Sequence, residues 1–196
     1  MKHINTRARA RVFCCAVVPC GLMTPDELHA EKEALLAEIY DAFKGVSRDG
    51  GVSWRESVRI DSYGYLPENA ESRWPDTDRA WTDLVDDPSW HPDNGVGGFT
   101  FLDAIGFRYY VGPALVRCVR DGLDCGIQSR LTIWPDPEKV GQLSASDTTR
   151  MAALEPRQCR CIARCVRFMV EWSRRHAHEF EARSWEDALD SYWYQY

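Results

Sequence analysis

The most constraining feature of this chain is a stretch near its C-terminus. Pro156 stands at a first-turn position, and the twenty residues after it carry apolar and basic side chains in two separate rows. At 100° per residue, Ile162, Cys165, Val166, Met169 and Ser173 point one way, while Arg157, Arg160, Arg164, Arg167 and Arg174 point the other. That pattern predicts a long amphipathic helix from Pro156 to about His176. A helix of this kind needs other elements to cover its apolar row, so the rest of the chain must supply a core.

The supply is adequate. Of 196 residues, 44% are hydrophobic and 12% aromatic, a length and apolar share that suit one domain with a real core. Charge is unevenly placed. Residues 1–22 hold Lys2, Arg7, Arg9 and Arg11 and no acid, whereas from Met23 on 20 basic residues face 30 acidic ones, a balance of −10. An acidic body of this kind argues against nucleic acid as the partner. The apolar run Val12–Leu22 is too short to span a membrane. Behind a basic start it has two of the three parts of an export signal, but Pro19 and Cys20 spoil the cleavage site. A competing start lies at Met23, because Thr24 with Glu27 three residues later forms a capping box and Pro25 suits the first helical position. The expectation is a leader outside the fold over 1–22 and a single globular domain over 23–196. The expected compartment is cytoplasmic, unless residues 1–22 are a genuine signal.

Helices are expected over 25–43, over a short run capped by Ser53 and Glu56 to about Ser62, and from a Ser184 capping box to Tyr192-Trp193-Tyr194. The segment 63–94 is rich in Pro, Asp and Trp; a helical piece is expected at Thr77–Val85, and packing by Trp74, Trp81 and Trp90. Phe99–Leu102 and Phe107–Val111 are rich in strand formers and flank the turn-like Asp103–Gly106. They predict an antiparallel β-hairpin, with Pro113 opening the next helix. The fold expected is therefore α+β, mainly helical, with one small hairpin.

Chemistry-bearing motifs are scarce. No phosphate loop, dinucleotide glycine set, nucleophile elbow or metalloprotease motif occurs. The glycine-rich Asn94–Gly98 precedes a predicted strand instead of following one, which is the wrong order for a phosphate cradle. Outside the leader, Cys118, Cys125, Cys159, Cys161 and Cys165 are odd in number and lack a CxxC knuckle, and His176 and His178 lie far along the helix. Buried free thiols are the expected reading, with no metal and no cofactor. A Cys–His nucleophile pair would need Cys161 or Cys165 to leave the core. Asp61, Asp103, Arg73, Arg79 and Arg108 are charges set among aromatics. The candidate ligand or partner residues are Asp61, Asp103, Arg108 and Tyr109. Two functions remain: a module that binds a protein partner, plausibly basic and of the immunity type, or a small enzyme or small-ligand binder built around Asp103, Arg108 and Tyr109. The first is the expectation, since no catalytic set assembles.

One segment carries a resemblance. Phe99-Thr100-Phe101-Leu102-Asp103-Ala104-Ile105-Gly106-Phe107-Arg108-Tyr109-Tyr110, followed by Pro113-Ala114, resembles the hallmark of a small bacterial family of unknown function. Ile39–Phe43, Trp81–Leu84 and Ala153–Gln158 resemble its other segments, so the likeness covers about residues 26–194. One departure is Val111-Gly112 before Pro113, where the family pattern has a single aliphatic residue. The resemblance implies no reaction and no cofactor.

Overall fold

The computed structural model describes residues 23–61, 79–90, 92, 98–123, 126–133 and 143–196. Seven α-helices lie among them: α1 (Pro25–Ala42), α2 (Trp54–Asp61), α3 (Ala104–Asp121), α4 (Gln128–Leu131), α5 (Ala145–Ala152), α6 (Pro156–Arg175) and α7 (Glu179–Ser191). Short 3₁₀ turns at Trp81–Leu84, Gly98–Thr100 and Trp193–Gln195 complete them. The described residues contain no β-strand, so the class is helical and not α+β.

The missing hairpin has a clear cause. Phe99 lies in a 3₁₀ turn, and Phe107–Val111 belongs to α3, which runs unbroken through Pro113. Asp103 caps α3 instead of making a hairpin turn: its Oδ1 accepts from Gly106 N at 2.8 Å. Every residue from Tyr109 to Val116 is buried. A helix covered on all sides shows no amphipathic period, and its aromatic and β-branched residues then read as a strand. Pro113 removes one helical donor, but the residue before it is Gly112, which has no Cβ to clash with the proline ring. A Cβ at position 112 would also lie 3.4 Å from both Phe43 and Trp81, so this turn of α3 packs backbone-close against them.

The predicted caps of α1 and α2 form. Glu27 N donates to Thr24 Oγ1 at 3.2 Å and Thr24 N donates to Glu27 Oε2 at 2.7 Å, which holds the Glu27 carboxyl below its usual range. Ser53 Oγ accepts from Glu56 N at 3.0 Å. The long helix α6 also stands as expected, and Ile162, Cys165, Val166, Met169 and Ser173 are buried on its inner face. α7 begins at Glu179, five residues before the predicted Ser184 cap, and buries Ala182, Trp185 and Ala188.

α6 packs against α1 on one side and α7 on the other, with α3 running across α1 and α6. One core cluster joins them, from Leu28 through Phe107, Tyr110, Leu115 and Val166 to Trp193. Trp81 and Trp90 are buried in it, while Trp74 lies outside the described residues. Trp81 Nε1 donates to Phe43 O at 2.9 Å, and Trp193 Nε1 donates to Leu131 O at 2.8 Å, so both large rings have their polar atom satisfied.

Candidate functional site

Three of the four predicted site residues, Asp103, Arg108 and Tyr109, each engage a different neighbour. Asp103 Oδ1 is shared between the α3 cap and Val52 N, at 3.1 Å, which ties the 48–54 segment to the start of α3. Arg108 points to the start of α6, where its Nε donates to Gln158 Oε1 at 3.1 Å and its guanidinium pairs with Glu155. Tyr109 is buried, with its ring 5.7 Å from the Arg48 guanidinium and edge-on to Tyr110. Asp61 ends α2 and is partly exposed. Asp103, Arg108 and Tyr109 thus leave α3 toward three different neighbours.

Gln158 is the residue that sequence reasoning undervalued. It is fully buried, donates to Ala42 O at 3.1 Å, and accepts from both Glu155 N and Arg108. Its signal was present in the sequence, as the third residue of a helix opened by Pro156 with Glu155 before it. A second such residue is Arg117, whose guanidinium donates to the carbonyls of Leu84, Val85, Asp87 and Trp90 and lies 4.8 Å from the Trp90 ring.

The arginine row of α6 is largely committed internally. Arg164 meets Glu31 with two hydrogen bonds, at 2.8 and 2.7 Å, and also pairs with Glu38, so the guanidinium is held even more firmly charged than usual. Arg157 pairs with Glu155 and Asp41, and Arg174 with Glu171 and Glu186. Arg167 reaches the carbonyl oxygens of Trp193 and Tyr196. This row joins helices and does not form a phosphate track.

Acidic residues predominate on α7. That helix holds Glu179, Glu181, Glu186, Asp187 and Asp190 against a single Arg183. Phe180, Arg183 and Asp187 recur at helical spacing opposite the buried Ala182, Trp185 and Ala188. Phe180 is 80% exposed, and Tyr194 just beyond the helix is 62% exposed. An exposed aromatic therefore stands near each end of a helix in which five acids outnumber one base.

The thiols behave as buried hydrophobes. Cys118, Cys159, Cys161 and Cys165 are free and buried; Cys125 lies outside the described residues. Burial, reinforced by the neighbouring Cys161, pushes the Cys165 thiol well up, and burial also pushes Cys159 up. Among the described residues no group of three or more His, Cys, Asp or Glu is placed to hold a metal ion. Iodoacetamide at pH 8 should label these four cysteines at least about 100-fold more slowly in the native protein than in urea, because all four are buried out of the reagent's reach. Peptide mapping after a timed pulse reads this directly; native labelling at the urea rate would mean the α3–α6 seam opens freely.

Residues 31–196 match a family of unknown function (DUF6714). The chain belongs to that family. The match runs from within α1 through the C-terminal turn and takes in every predicted site residue. No curated protein and no solved structure matches the chain. Among the described residues, no helix is long and apolar enough to cross a membrane.

Proposed function

We propose that this protein is a binding module for a basic protein partner, working in the cytoplasm, with the outer face of α7 as its contact surface. The observation that carries this reading is the asymmetry of charge. Arg157, Arg164 and Arg174 of α6 are drawn into ion pairs with α1, α7 and α6 itself, while Asp187 and Asp190 have no ion-pair partner among the described residues. The acidic surplus is left facing outward beside Phe180 and Tyr194. Aromatics of this kind give large contact area at modest entropic cost, and surrounding acids steer a cationic partner. An immunity-type role against a basic toxin is one instance of the class. Asp103, Arg108 and Tyr109 serve this reading as braces of the fold, since each is already engaged by a neighbouring element.

The test is an affinity purification from the source cells with the wild-type chain and with a Phe180→Ala, Asp187→Asn, Asp190→Asn variant, which leaves the buried Trp185 face intact. A basic protein should be retained by the wild type, be released as salt rises, and bind the variant about tenfold or more weakly. Equal recovery of the same protein on both would sink the proposal.

A further inference from the structure

The chain enters the described fold close to α7. Arg175 is the last residue of α6, and its Nη1 donates to Met23 O at 2.7 Å. Met23 is partly buried and packs against the core. Only residues 176–178 separate Arg175 from the start of α7 at Glu179. Residues 1–22 therefore join the domain near the end of α7 that carries Glu179, Phe180 and Glu181, all of them exposed.

Segment and helix have opposite and matching charge. The segment holds Lys2, Arg7, Arg9 and Arg11 and no acid. On α7, Glu186 is taken by Arg174, whereas Glu179, Glu181, Asp187 and Asp190 are exposed and have no ion-pair partner among the described residues. The competing cations nearby are largely committed: Arg174 lies between Glu171 and Glu186, and Arg175 is on the Met23 carbonyl. The apolar parts also correspond, since Phe13, Val17 and Val18 of the segment have exposed Phe180 and Tyr194 as counterparts. Reach is ample. Even Arg11, the basic residue nearest Met23, has up to ~40 Å of extended chain before it, and α7 is ~20 Å long.

We propose that residues 2–22 dock on the exposed face of α7, so that the chain carries its own basic occupant for that surface. The inference rests on the reading of this face as the site of a basic partner and adds its regulation: segment and partner compete. A tethered segment is present at an effective concentration on the order of millimolar, so an outside partner has to displace it.

The test is zero-length coupling of the full chain with a water-soluble carbodiimide, which joins an amine to a carboxylate only where the two touch, followed by peptide mapping. Lys2 is the reporter amine. It should couple to the α7 acids at least about threefold more than to Asp26 and Glu33, which are equally exposed on α1. High salt should erase that preference. So should Arg7→Gln, Arg9→Gln, Arg11→Gln, a variant that keeps Lys2 and alters no described residue. The same variant should retain at least about threefold more of a basic partner than the wild type does. Even coupling of Lys2 over α1 and α7, or a preference that survives both salt and the variant, overturns the docking; equal partner recovery overturns the competition. Capture of no basic protein by either chain counts against the partner reading alone, because the coupling of Lys2 needs no partner.

Discussion

Arg117→Met is expected to remove about 4 kcal/mol of folding stability, the sum of several charge-assisted hydrogen bonds lost against partial rehydration of their acceptors. Methionine fills much of the same volume but donates nothing. The carbonyls of Leu84, Val85, Asp87 and Trp90 then lose the one side chain that gathers them, at 2.8, 3.0, 2.6 and 2.8 Å. The Trp90 ring also loses the cation lying 4.8 Å from its centroid. Arg117→Lys should recover less than half of the loss, because a single ammonium cannot span four carbonyls. Urea denaturation measures the total, and hydrogen exchange over residues 84–90 shows where it falls. A loss under about 1.5 kcal/mol would show that this segment holds its shape without Arg117.

Gly106→Ala should cost about 3 kcal/mol, by forced separation of two backbones that now touch. A Cβ at this position would lie 2.5 Å from Val52 O and 3.1 Å from Asp103 Oδ1. Neither can yield cheaply, since one is main chain and the other is the α3 cap. The shift would strain the Val52 N to Asp103 bond and, one step further, the 2.8 Å bond from Trp54 N to Tyr110 Oη. Gly45→Ala is the control: its φ is +73°, but nothing lies within 4 Å of the added carbon, so only the conformational cost of about 1 kcal/mol applies. Equal losses at the two sites, read from urea midpoints, would mean that Gly106 is not a contact glycine.

Local chemistry made some elements legible and hid others. Thr24 with Glu27, Ser53 with Glu56, and the two-sided pattern after Pro156 each point to one structure, and each element forms where expected. Ser184 misleads for the same reason that Thr24 succeeds: the residue spacing of a capping box also occurs inside a helix, and α7 passes through it. The first half of α3 has the sequence of a strand because burial on all sides erases periodicity, leaving only propensity, and propensity yields to tertiary packing. The site fared less well than the fold. Asp103, Arg108 and Tyr109 stood out as charges and aromatics close in sequence, but nothing local indicates that they turn to three separate neighbours. The α7 face shows in the sequence only once its buried side is known.

The clasp between Arg164 and Glu31 sets the order in which the chain can mature. Its two ends are 133 residues apart, so at a synthesis rate of 5–20 residues per second α1 waits roughly 7 to 27 s after leaving the ribosome before its partner helix exists. During that interval the apolar side of α1, with Leu28, Leu35 and Ile39, has no α6 to cover it. No N-terminal fragment that stops short of α6 contains the seam on which the core closes, so the fold completes only after the C-terminal helices have been made.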